Sequence, residues 1–97
     1  MIVVSVSAEA EAEITEASRH YAREADLALG LAFIDEFERT LALLAEHPQL
    51  GVEWKRWRRF SLRRFPYSVV YTFSGEALTV IAVAHHRRKP GYWSGRS

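Results

Sequence analysis

The 97-residue chain contains no cysteine, which excludes a disulfide framework, a thiolate zinc site and a cysteine nucleophile. No apolar run approaches the roughly 20 residues of a membrane-spanning helix. The start, MIVVSVSAEAEAE, turns acidic where a secretory signal would need a basic beginning, so a cytoplasmic location and no membrane contact are expected. There is no phosphate-binding glycine loop, no serine nucleophile elbow and no helical pair of histidines flanking a glutamate. Nucleotide hydrolysis and zinc proteolysis are thereby excluded. The carboxylates are expected mostly on helix exteriors, which leaves a paired-carboxylate hydrolase without support.

What remains is enough for one domain spanning residues 1–97, since 48% of the residues are hydrophobic and 26% charged. The net charge is only +1, yet residues 1–50 set ten carboxylates against Arg19, Arg23 and Arg39, whereas residues 51–97 set ten cations against Glu53 and Glu76. The first half therefore carries −7 and the second +8. Nine of the twelve aromatic residues also follow residue 50, and cations interleaved with rings suit a polyanion or an acidic protein partner. The alternative is that the two halves simply neutralise each other across one fold.

Ile2 to Val6 is short and β-branched and reads as a strand. Ser7 can cap a following helix, with Glu9 and Glu11 in its first turn. Ala10, Ile14, Ala17, Tyr21 and Ala25 then recur at helical spacing, which predicts a helix over 8–24 with Glu9, Glu13 and Glu16 largely outward. Asp26 caps a second helix, whose stripe Leu27, Leu31, Ile34, Phe37, Leu41, Leu44 and Ala45 ends at Pro48. Gly30 inside it reads as a packing position where another backbone comes close. Residues 49–57 are expected as a loop. Beyond them Phe60 and Leu62 alternate with Arg59, Ser61 and Arg63, followed by strands at 68–73 and 77–84 around a turn at 74–76. The tail from His85 to Ser97 is expected as loop or a short turn.

The order β-α-α-β-β-β gives an α+β fold in which a helical hairpin packs on one face of a small, mainly antiparallel sheet. Ile14, Tyr21, Ile34, Phe37, Leu41 and Leu44 should meet Val69, Tyr71, Ile81 and Val83 or their strand neighbours. The other face is left for solvent, ligand or partner, with Arg59 and Arg63 on it. Two segments could carry function. The first, HHRRKPGYWSGR, packs two imidazoles, four cations and two rings into residues 85–96. Adjacent strand residues face opposite ways and no carboxylate is close in sequence, so no metal is expected there. Imidazole beside guanidinium suits a phosphodiester, unless one histidine simply points inward and the other to solvent. The second, KRWRRFSLRR at residues 55–64 after Trp54, could grip a nucleic-acid backbone or dock an acidic protein segment.

Taken with the element order, HPQLG (His47 to Gly51), RRFPYSVVY (Arg63 to Tyr71) and the closing HHRRKPGYWSGR resemble the RelE/ParE superfamily of toxins from bacterial toxin–antitoxin pairs, over nearly the whole chain. Arg63, Phe65, Pro66, Tyr67 and Tyr71 match its signature strands. His85, Arg88, Pro90, Tyr92 and Trp93 match the closing motif of the ParE-like, plasmid-stabilisation branch. The resemblance implies a growth-inhibiting toxin, with no cofactor and no metal, neutralised by a cognate antitoxin whose C-terminal segment wraps it. ParE-like members are associated with poisoning DNA gyrase without chemistry of their own. RelE-like members are metal-independent endoribonucleases that cut mRNA on the ribosome, and on that alternative Arg63, His85, Arg88 and Tyr92 would take the catalytic roles. Lys55 is the only lysine before Lys89, so the lysine-rich loop of the RelE branch is poorly represented and the ParE-like reading is favoured. The contacts expected for target or antitoxin are Trp57, Arg59, Arg63, Arg87, Arg88, Tyr92, Trp93 and Arg96.

Overall fold

Two side-chain caps start the two helices. In the computed structural model, which describes residues 1–96, the Ser7 hydroxyl accepts the amide of Ala10 at 3.1 Å and begins α1, Ala8–Glu24. Asp26 accepts the amide of Leu29 at 2.8 Å and begins α2, Leu27–Glu46. The helices form a tight antiparallel hairpin, and Gly30 makes it possible: a Cβ there would stand 2.7 Å from the Ser18 carbonyl oxygen. No helix is long and apolar enough to cross a membrane among the described residues.

The strands are β1 (Val3–Val6), β2 (Val52–Trp54), β3 (Trp57–Ser61), β4 (Tyr67–Ser74) and β5 (Ala77–His85), in the spatial order β1-β5-β4-β3-β2. Neighbours run antiparallel except β1, which lies parallel to β5. The α+β fold is as expected, with one strand more. β2 occupies part of the segment expected as a loop, and it is short enough to show no alternation. It returns to β3 through Lys55 and Arg56 without the Gly or Asn that marks most two-residue hairpins, and Lys55 itself takes a φ of 57°. The loop before β2 is tied to the sheet by Tyr71, whose hydroxyl donates to the Pro48 carbonyl at 2.6 Å and accepts from the Gly51 amide at 3.0 Å. Burial pushes the pKa of that hydroxyl up, which keeps it a donor.

A bulge in β5 decides which residues face where. Val70 pairs with Ala82 but Tyr71 pairs with Val80, leaving Ile81 as the extra residue. Leu78, Val80 and Val83 therefore pack under the helices with Phe33, Phe37, Leu44, Val69 and Tyr71, and Ile14, Tyr21 and Leu41 pack against them. Ile81 and Ala82 turn to the opposite face, where they meet Trp57, Val70, Ala84 and Trp93. This corrects the expectation that Ile81 joins Val83 in the helix-side core. It also corrects the outer face, which the chain's own tail covers in part: Trp93 is 1% exposed, and a short 3₁₀ turn, Ser94–Arg96, follows it.

Candidate functional site

The alanine stripe of α1 aims a carboxylate at the tail. Glu13 lies three residues after Ala10 and four before Ala17, both buried, so it points at β5 rather than outward as expected. Its side chain is 15% exposed and accepts from five N–H and O–H groups. Oε1 takes the Val83 amide and Arg96 Nη1, each at 2.9 Å. Oε2 takes the Tyr92 hydroxyl at 2.6 Å, Arg96 Nη2 at 3.1 Å and Arg88 Nη1 at 3.4 Å. The Arg88 guanidinium lies over the Tyr92 ring at 3.6 Å and that of Arg96 at 5.1 Å, so Tyr92 is clamped by cations and a carboxylate together.

These contacts fix protonation. Burial, followed by the hydrogen bond to Glu13 and its negative charge, raises the Tyr92 pKa far above the usual tyrosine range. The hydroxyl therefore stays protonated and donates to Glu13. The hydrogen bond to Glu13 likewise raises the pKa of Arg96. His85 sits edge-on to Tyr67, its ring centroid 4.9 Å away, and its Nδ1 accepts the Arg87 amide at 3.0 Å. Burial, then the charges of Arg87, His86 and His20, lowers its pKa, and it is neutral at pH 7.

The four residues of the nuclease alternative do not converge. His85 and Arg88 line one groove with Glu13, Glu16 and Tyr67, and Tyr92 reaches the same Glu13. Arg63 lies elsewhere, in a groove with Glu36, Arg39, Thr40, Leu43 and Phe60 against α2. β3 ends at Ser61, and the buried Glu36 carboxylate accepts the amides of Arg63 and Arg64 at 2.6 and 3.2 Å, holding the turn against α2. Arg63 therefore does not share the outer face with Arg59, as alternation predicted. Among the described residues no group of three or more metal-ligating side chains is arranged to hold an ion.

Among the expected contacts, Trp57 and Trp93 are interior, at 5% and 1% exposure, and act as floors for cations: Arg56 lies 4.8 Å over the Trp57 ring and Arg59 5.7 Å over that of Trp93. Arg87 is exposed, Arg88 is half exposed, and Arg96 is mostly occupied by Glu13. Sequence reasoning missed two features. One is Glu13, whose place on the alanine stripe was the signal. The other is a chain on the outer face, where His86 Nε2 lies 2.9 Å from the Ser68 hydroxyl and Ser68 lies 3.2 Å from that of Ser61.

A family model described as the ParE toxin of a type II toxin-antitoxin system, parDE, matches residues 4–90. Tyr92, Trp93 and Arg96 fall beyond the matched stretch. A solved structure described as the chromosomal ParDE TA system from P. aeruginosa superposes with a TM-score of 0.77 at 17% sequence identity, covering 88% of this chain and 96% of that one. Identity that low shows a shared fold. No curated protein matches at a significant level.

Proposed function

The chain belongs to the ParE toxin family of type II toxin–antitoxin systems, and from that membership we propose that it acts by gripping a protein target, DNA gyrase, without chemistry of its own, and is silenced by a cognate antitoxin. The observation that carries this reading is the occupation of Tyr92 by Glu13. The only tyrosine of the closing motif has its proton held by a carboxylate at 2.6 Å, and Arg63 stands on another part of the molecule. A general acid–base pair needs two free groups poised within reach of one phosphate; Tyr92 is engaged by Glu13, and Arg63 stands away from the groove that His85 and Arg88 line. What the surface does offer is charge. Arg87, Arg88 and Lys89 stand exposed on one turn, and Lys55 and Arg56 cap the β2–β3 hairpin over Trp54 and Trp57. Such cations suit an acidic protein surface and favour an antitoxin segment that pairs apolar anchors with carboxylates. The solved structure of similar fold is described as a toxin–antitoxin system, which supports an antitoxin partner here.

The test sets two targets side by side. The pure protein is incubated with gyrase and relaxed plasmid, and separately with translating ribosomes and mRNA. Loss of supercoiling or trapped cleavage complexes, with intact mRNA, is expected. mRNA cleavage with unaffected gyrase would refute the proposal and establish the nuclease alternative.

A further inference from the structure

The outer sheet face carries a second polar site that Glu13 does not touch. Ser61 on β3 and Ser68 on β4 are register partners, and Arg59, two residues before Ser61, pairs with Val70 on the same face. The two hydroxyls lie 3.2 Å apart, and His86 brings its Nε2 to 2.9 Å from Ser68. Arg59 is held over the Trp93 ring, and its Nε is buried with no hydrogen-bond partner among the described residues. A buried guanidinium N–H ordinarily finds an acceptor, because leaving it bare costs its hydration with no return. Arg59, Ser61 and Ser68 line a groove of about 220 Å³, walled on its far side by Val52, Glu53 and Trp54.

We propose that this groove binds a phosphate, namely a backbone phosphate of nucleic acid held by the toxin's target. Arg59 and Ser61 from β3 and Ser68 from β4 line the groove, and His86, in the turn after β5, supports Ser68 from beside it. Guanidinium and hydroxyl groups are usual partners of backbone phosphate. The one acidic wall residue, Glu53, has Oε1 3.4 Å from Arg58 Nη2, so its charge is matched. Ser68 is 2% exposed and its hydroxyl bridges Ser61 and His86, so it backs the groove while Arg59 and the exposed Ser61 face the anion, and the role assigned to the site is binding. Assigning the phosphate to DNA rests on the gyrase reading above; the phosphate site stands without it.

Isotope-labelled protein titrated with inorganic phosphate, and in a separate arm with a short DNA duplex, tests this by NMR. Saturable shifts are expected at Arg59 Nε–Hε and at the amides of Ser61, Ser68 and His86, with the duplex about tenfold or more tighter than phosphate at low salt. Arg59→Gln should weaken both about tenfold. Ser61→Ala, at an exposed position with little effect on folding, should weaken both about threefold. Shifts confined to Arg87, Arg88 and Lys89, or affinities indifferent to both substitutions, would overturn the site. Binding of phosphate without matching shifts from the duplex would overturn the nucleic-acid assignment, and oligonucleotide cleavage abolished by His86→Gln would overturn a role in binding alone. Neither arm contains gyrase or antitoxin, so a negative supercoiling assay and a negative titration refute different claims.

Discussion

Replacing Glu13 with alanine removes one carboxylate from five donors at once. The Arg88 contact is long and its side chain 54% exposed, so its share is at most about 1 kcal/mol. Arg96 and Tyr92 matter more, because a hydrogen bond to a charged group contributes about 1.5–3 kcal/mol and their side chains are largely shielded from water. The contacts share one acceptor and do not add, which places the loss at about 2–4 kcal/mol. In a domain of this size that lowers Tm by on the order of 10–25 °C. Glu13→Gln keeps a neutral acceptor and should lose about half as much. The assay is urea unfolding at pH 7 followed by tryptophan fluorescence, with Glu16→Ala as control. Glu16 is 74% exposed and reaches Arg23 only at 3.7 Å, so its removal should cost less than about 0.5 kcal/mol. A Glu13→Ala loss no larger than that of Glu16→Ala would refute the claim that this carboxylate holds the tail.

Leu44 is fully buried under the sheet, so Leu44→Ala should cost about 2–5 kcal/mol in the same titration. The pKa of His85 is lowered in the folded chain, so the unfolded chain takes up that proton first as pH falls. Its contribution is complete above about pH 6.5 and is lost towards the folded value, and thermal melts between pH 7.5 and 5.5 should therefore flatten in His85→Gln. Neutralising Arg87, Arg88 and Lys89 together should weaken target binding by about tenfold or more, whereas His85→Gln should leave toxicity in growing cells nearly intact. Antitoxin association measured by stopped flow should slow as salt rises, and a rate indifferent to ionic strength would remove the electrostatic part of the interface.

The local rules of helix formation were legible in the sequence. Ser7, Asp26 and Pro48 each do what their chemistry dictates, because caps and stops depend on neighbours within four residues, and Gly30 admits the Ser18 carbonyl of the other helix because it has no Cβ. The outward alternation of β3 was legible as far as Ser61. What failed was everything set by one strand against another. The bulge at Ile81 exists only in the pairing of β4 with β5, so a single-strand reading placed Ile81 with Val83. β2 gains its identity from β3, being too short to have a period of its own. In the candidate site, the closing motif was visible as a cluster, but its state was not. Whether Tyr92 could exchange a proton depended on a glutamate 79 residues earlier, and no spacing rule reaches that far.

The parallel placement of β1 has a consequence in time. As the chain is synthesised, β1 and α1 emerge first, yet the strand's only neighbour in the sheet is β5, and Glu13 waits 83 residues for Arg96. At about 5–20 residues per second, the N-terminal segment spends on the order of 10 s without its sheet neighbour and with its carboxylate unpaired. During that interval neither the sheet nor the basic outer face is assembled. The nascent molecule lacks its basic face by geometry, because the residues that complete it are made after those they complete.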